Sequence, residues 1–128
     1  MNKRKKYVYK EDIYKMDAKM RSYAPAISSR YPYVKHIRIK YETKTPDDIH
    51  EIIFNGNDLA YFKIECRFGE CYGYGSGFDL QKYIDYVILN RLSESDDINI
   101  HCGGYGDIGQ HFHCDNQLHC KIFVEYIE

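Results

Sequence analysis

The chain is predicted to fold as α+β: an antiparallel sheet of about five to six strands with two helices packed on one face, in the order α-β-β-β-α-β-β-β. Three observations predict it. Residues 33–43 and 117–126 alternate apolar and polar side chains with a period of two, the mark of half-buried strands. Residues 11–23 and 79–92 place apolar side chains three and four apart, the mark of amphipathic helices. The strands also come in runs rather than one per helix, which suits antiparallel pairing better than βαβ crossovers.

The first helix, 11–23, carries Ile13, Met16 and Met20 as its apolar stripe and ends at Pro25, because the residue before proline avoids helical geometry. In the first strand, Tyr33, Ile37, Ile39 and Tyr41 share one face and His36, Arg38, Lys40 and Glu42 the other. Pro46-Asp47-Asp48 marks a turn into a second strand at 49–54. Asn55-Gly56-Asn57-Asp58 then predicts a hairpin, since Asn-Gly tolerates the positive φ of tight turns. A third strand at 59–68 would face Ala60, Phe62, Ile64, Cys66 and Phe68 inward.

Glycine crowds residues 69–77, and Asp79 is placed to cap the second helix, whose apolar side is Leu80, Tyr83, Ile84, Val87, Ile88 and Leu92. A fourth strand is expected at 98–102, and a closing hairpin of 110–114 with 117–126 around Asp115-Asn116. The first five elements have the order of a double-stranded-RNA-binding domain. The second helix opens Asp79-Leu80-Gln81-Lys82 without the basic cluster that grips phosphates there, and three strands fall outside that module, so the chain is not assigned to it.

Length points to one domain over 1–128, with 1–10 as a basic and flexible arm. The near-neutral total hides a dipole: residues 1–44 hold 13 Lys and Arg against 4 Asp and Glu, whereas 45–128 hold 5 against 15. Such polarity suits an anionic partner for one end, or two ends that face each other. The absence of a long apolar run and of a secretory h-region leads to an expectation of a cytoplasmic protein, in the host cytoplasm if phage-encoded. Five cysteines, an odd number, then imply free thiols or a metal site rather than a disulfide framework.

Chemistry-bearing residues fall into a few groups. Lys3, Arg4, Lys5, Lys6 and Lys10, interleaved with Tyr7 and Tyr9, together with Arg38 and Lys40, form the candidate contact surface for an anion or partner: cations neutralise phosphates and rings stack on bases or pack at interfaces. Cys102, His111, His113, Cys114, His119 and Cys120 crowd the carboxyl-terminal part. On the expected hairpin His111 and His113 would share a face with Cys120, a set competent for zinc, although core packing of these residues is the competing reading. The loops 73–77 and 103–106 lack the lysine and spacing of a phosphate loop, and are read as connections. Acidic loops at Asp47-Asp48, Glu94, Asp96-Asp97, Asp107 and Asp115 are ordinary solubilising charge, or a surface that competes with nucleic acid for a basic groove.

The residues therefore favour binding over chemistry. The expected function is a stoichiometric inhibitor or immunity-type protein, for example a phage anti-defence protein of anti-CRISPR kind, engaging a nucleic-acid-binding or nucleoprotein partner, with no cofactor and no catalytic residue. The alternatives are a zinc-dependent hydrolase or nuclease centred on His111, His113 and Cys120, and a self-assembling structural protein.

Overall fold

The computed structural model describes residues 10–44, 47–68, 71–107 and 112–127. The elements run α1 (Lys10–Ser22), α2 (Ile27–Arg30), β1 (Val34–Thr43), β2 (Asp48–Asn55), β3 (Lys63–Ile64), β4 (Phe78–Asp79), α3 (Gln81–Leu89), β5 (Ile98–His101), β6 (Tyr105–Asp107), β7 (Phe112–His113) and β8 (Gln117–Tyr126). A four-stranded antiparallel sheet, ordered β2-β1-β8-β5, is the frame. Two small ribbons, β3-β4 and β6-β7, stand apart from it. The mixed helix-and-strand fold thus holds, with three helices rather than two and a narrower main sheet than the sequence predicts.

Alternation builds the sheet as expected. Ile37 and Ile39 of β1 and Leu118, Cys120 and Ile122 of β8 are buried on one face. α2 and α3 pack on that face through Ile27, Ile84 and Val87, in one buried cluster. The opposite face, with Arg38, Lys40, Lys121, Phe123 and the exposed Ile49 and Ile53, looks outward. One residue breaks the expected parity. The β1–β8 register shifts between Val34 and His36, a bulge that turns Val34 inward and leaves Tyr33 exposed. Tyr33 instead lies under the Arg91 guanidinium, 4.8 Å from the ring centroid, with Tyr126 on another side at 5.3 Å.

The third predicted strand does not join the sheet. The turn at 55–58 forms, closed by Asp58 N–H to Asn55 C=O and Asn55 N–H to Asp58 Oδ2. The chain then leaves β2 and packs beneath the sheet, bonded to the α1–α2 link through Ala60 N–H to Pro25 C=O. Its alternation is genuine, since Ala60, Phe62, Ile64 and Cys66 are buried, but only Lys63–Ile64 make a ladder, with β4. α1 is anchored here. Ile13 is buried, and Asp17 Oδ1 accepts from both Tyr61 Oη and Lys63 Nζ at 3.0 Å. Asp17 Oδ2 is buried with no hydrogen bond, so this anchor is tight but imperfectly satisfied.

The closing hairpin is the second correction. β7 pairs with β6, not with β8. β8 fills the place between β1 and β5, so Cys120 stands opposite Tyr41 and Ile98. Asp79 is not the cap the sequence predicts: Leu80 is the N-cap and makes no side-chain cap bond, while Asp79 ends β4 and its Oδ1 accepts the Gln81 N–H at 3.0 Å from one residue further out.

A buried four-cysteine cluster and an open sheet face

Four cysteines converge although they lie far apart in sequence. Cys66 follows β3, Cys71 lies before β4, Cys102 follows β5 and Cys114 follows β7. All four are at most 3 % exposed, and their Sγ atoms lie within 4.8 Å of one another. Cys71 and Cys102 are 3.5 Å apart and Cys66 and Cys114 3.8 Å apart, far beyond a disulfide bond, and all five cysteines are free.

The glycine clusters are the reason the sulfurs can meet. Gly73 and Gly77 take φ of +100° and +118°, which bends the segment after Cys71 back toward β4. Its neighbour after Cys102 binds it edge to edge: Tyr72 and Tyr105 exchange backbone hydrogen bonds at 2.8 and 2.9 Å, and Gly103 N–H reaches Gly77 C=O. Gly104 sits so close that a Cβ there would fall 2.7 Å from Tyr72 O and 2.8 Å from Cys71 Sγ. Cys114 N–H then bonds Gly104 C=O, closing the ring of segments.

Polar groups aim at the sulfurs. Gly77 N–H and Gly104 N–H donate to Cys102 Sγ at 3.2 and 3.4 Å. Asn116, 1 % exposed, donates its Nδ2 to Cys66 Sγ at 3.2 Å and accepts Gln117 N–H on Oδ1. Ser76 Oγ lies 3.0 Å from Cys71 Sγ. Hydrogen bonds from the Cys102 and Cys71 thiols, with Asn116 behind them, hold the Cys66 thiol far below its ordinary range. The same sharing pushes Cys71 up, and burial pushes Cys114 up to about 12. The cluster therefore favours anionic sulfur at Cys66 and disfavours it at Cys71 and Cys114 while it holds only protons. Four soft donors around one point can take a tetrahedral metal ion.

Cys120 is different. It is buried in β8, outside the cluster, and burial raises its thiol to about 12. Of the expected trio His111, His113 and Cys120, His111 lies outside the described residues, and His113 belongs to β7 of the β6-β7 ribbon whereas Cys120 lies in β8 of the main sheet. The hairpin that was to bring them together is not formed. Cys114, read from sequence as a companion of the histidines, joins Cys66 and Cys71 instead. The signal for that partnership was present: Cys71 and Cys102 each precede a glycine cluster, which reads as a chain turning tightly around something.

The contact residues divide in the same way. Lys3, Arg4, Lys5, Lys6, Tyr7 and Tyr9 lie outside the described residues, and Lys10 opens α1. Arg38 and Lys40 stand on the outward face of β1. Arg38 is flanked across the sheet by Ile53 and Phe123; its guanidinium lies 4.3 Å from the Phe123 ring centroid and pairs with Glu51 at 2.8 Å. Lys40 Nζ is 6.0 Å from the same ring. Further pairs, Lys121–Glu94 and Lys35–Glu125, make this face mixed in sign. No described helix is long and apolar enough to cross a membrane.

No protein-family model matches the chain, and no curated protein or solved structure matches it either.

Proposed function

We propose that this protein is a small non-enzymatic binding protein of stoichiometric-inhibitor or immunity type, with a phage anti-defence protein as one concrete form. Its working surface is the outward face of the four-stranded sheet, and the basic amino-terminal third supplies further contacts to an anionic partner. The observation that carries this reading is the character of that face. Arg38 stacks on Phe123 between exposed Ile53 and Glu51, so aromatic, apolar and charged groups alternate over three strands. Protein interfaces favour such a mixture, with Arg and aromatic residues at their centres.

The charges also favour one kind of partner. Arg38 is already paired with Glu51, so it adds little to phosphate attraction and much to orientation of a protein surface. A nucleic-acid-binding protein or nucleoprotein suits this face better than bare nucleic acid does. The five free cysteines fit a reducing compartment such as the cytoplasm.

The test uses the full chain as bait in extract of its own host, beside Phe123→Ala and Arg38→Glu/Lys40→Glu variants with unchanged melting curves. One protein or nucleoprotein retained by wild type at fixed stoichiometry and lost by both variants supports the reading. Equal retention by all three, or salt-dependent binding of a bare oligonucleotide as the only interaction, overturns it. Light scattering at two salt concentrations tests the self-assembling alternative.

A further inference from the structure

We propose that Cys66, Cys71, Cys102 and Cys114 hold one zinc ion as four thiolates, in a closed tetrahedral site that ties the β3-β4 ribbon to the β6-β7 ribbon. The proposal is independent of the partner-binding reading, since it concerns the opposite function of the molecule, the making of its shape.

Geometry is the first argument. Zinc–sulfur bonds of about 2.3 Å place the corners of a tetrahedron about 3.8 Å apart. Two sulfur pairs are at 3.5 and 3.8 Å and the whole set lies within 4.8 Å. Small rotamer adjustments separate this cluster from a metal cage. Four thiols with no metal would gain little from the same arrangement, because S–H is a weak donor and sulfur a weak acceptor.

The surroundings are the second argument. Metal-bound thiolates need hydrogen bonds that spread their charge and fix their direction. Gly77 N–H and Gly104 N–H supply them to Cys102, and Asn116 Nδ2 to Cys66. Asn116 is 1 % exposed and donates its Nδ2 to a sulfur, an unusual use for an amide in an apolar core. The backbone has also been brought close at a place where any side chain would collide: Gly75 and Gly103 would each put a Cβ within 2.5 Å of the other's carbonyl oxygen.

Cys120 is the internal comparison. It is equally buried, yet it has apolar strand neighbours and no place in the group. Ordinary core packing of cysteine looks like Cys120, not like the other four.

Binding balances as an exchange. A hydrated Zn²⁺ loses its waters, four Zn–S bonds form, and the protons still carried by the sulfurs pass to solvent. Four thiolates around one dication leave a net charge of minus two, which the N–H donors spread. All four positions are filled by protein, so no site remains for an activated water and the ion is structural. Neither ribbon could hold it alone, because Cys66 and Cys71 come from one and Cys102 and Cys114 from the other side of the cluster.

The experiment is elemental analysis by ICP mass spectrometry on the full chain, purified without a histidine tag. One zinc per chain in wild type and in Cys120→Ala, and none in Cys102→Ser, is the expected result. Cobalt exchanged into wild-type protein should show the intense visible absorption and near-ultraviolet charge-transfer bands of a tetrahedral thiolate site, a reading that stands even if the serine variant does not fold. Chelator should lower the wild-type melting temperature. Absence of metal with a melt indifferent to chelator overturns the proposal. So does iron in place of zinc, or zinc retained by Cys102→Ser and lost from Cys120→Ala.

Discussion

In the four-stranded sheet, β1 and β8 are ten residues long and pair at nine positions, and past the bulge at the start of β1 alternate side chains turn toward the core. At the cysteine end the strands are two or three residues long, and the chain direction is set by glycines and by side chains that bond backbone or sulfur. The first region distributes its stability over many repeated contacts. The second concentrates it in a few. Loss of one contact should therefore be graded in the sheet and abrupt at the cysteine end, and the two regions can be made to separate.

Metal removal is the sharpest way to separate them. With zinc withdrawn by chelator, amide hydrogen exchange in 71–77 and 102–107 should accelerate by orders of magnitude, while the β1–β8 ladder stays the slowest part of the chain. Uniform acceleration across both would show that the sheet too depends on the ion. Next in size is the sheet core. Ile37→Ala or Ile122→Ala removes a fully buried side chain and should cost about 2–5 kcal/mol in urea unfolding, with the metal content unchanged. Gly104→Ala reverses that pattern. Its Cβ would press on Tyr72 O and Cys71 Sγ, so about 1–3 kcal/mol of stability should go together with part of the bound metal.

Smaller effects sharpen the comparison further. Burial first, then the hydrogen bond to Asp85, raises Tyr31 to about 12 from its ordinary 10. The folded state thus holds a proton that the unfolded chain gives up earlier. Its contribution is complete below pH 10 and disappears as pH climbs through about 12. Urea melts at pH 10 and 12 should show this loss, and Tyr31→Phe should flatten it. Least of all, Arg38→Ala should change stability by under ~1 kcal/mol, because its ion pair with Glu51 is partly exposed. A large loss there would mean that the outward face is a structural surface and not one kept for a partner.

The same contrast explains what could be read in the sequence. Alternation made β1 and β8 legible, and the three-and-four spacing made α3 legible, because each signal lies within a dozen residues. Val34 escaped because a bulge inserts one residue and flips the parity. The segment 59–68 has the alternation of a strand but packs under the sheet as extended chain, and alternation records burial rather than pairing. The cysteine cluster was hidden by distance: the glycines after Cys71 and Cys102 mark tight turns but do not say which cysteines those turns bring together, and Cys66 and Cys114 meet across 48 positions. The nearby histidines drew attention because they were close in sequence, which is the wrong measure for a cluster assembled by two ribbons.

The strand order has a consequence for how the molecule comes into being. β8 occupies the seat between β1 and β5, yet it follows both of them in sequence. While the polypeptide is being synthesised, β1 has only β2 to pair with, and β5 has no neighbour in the main sheet. Both must wait, apolar side chains uncovered, until β8 leaves the ribosome and slides between them. The main sheet is completed by an insertion rather than by progressive growth at its edge, and the interval before it is when a chaperone would be most needed.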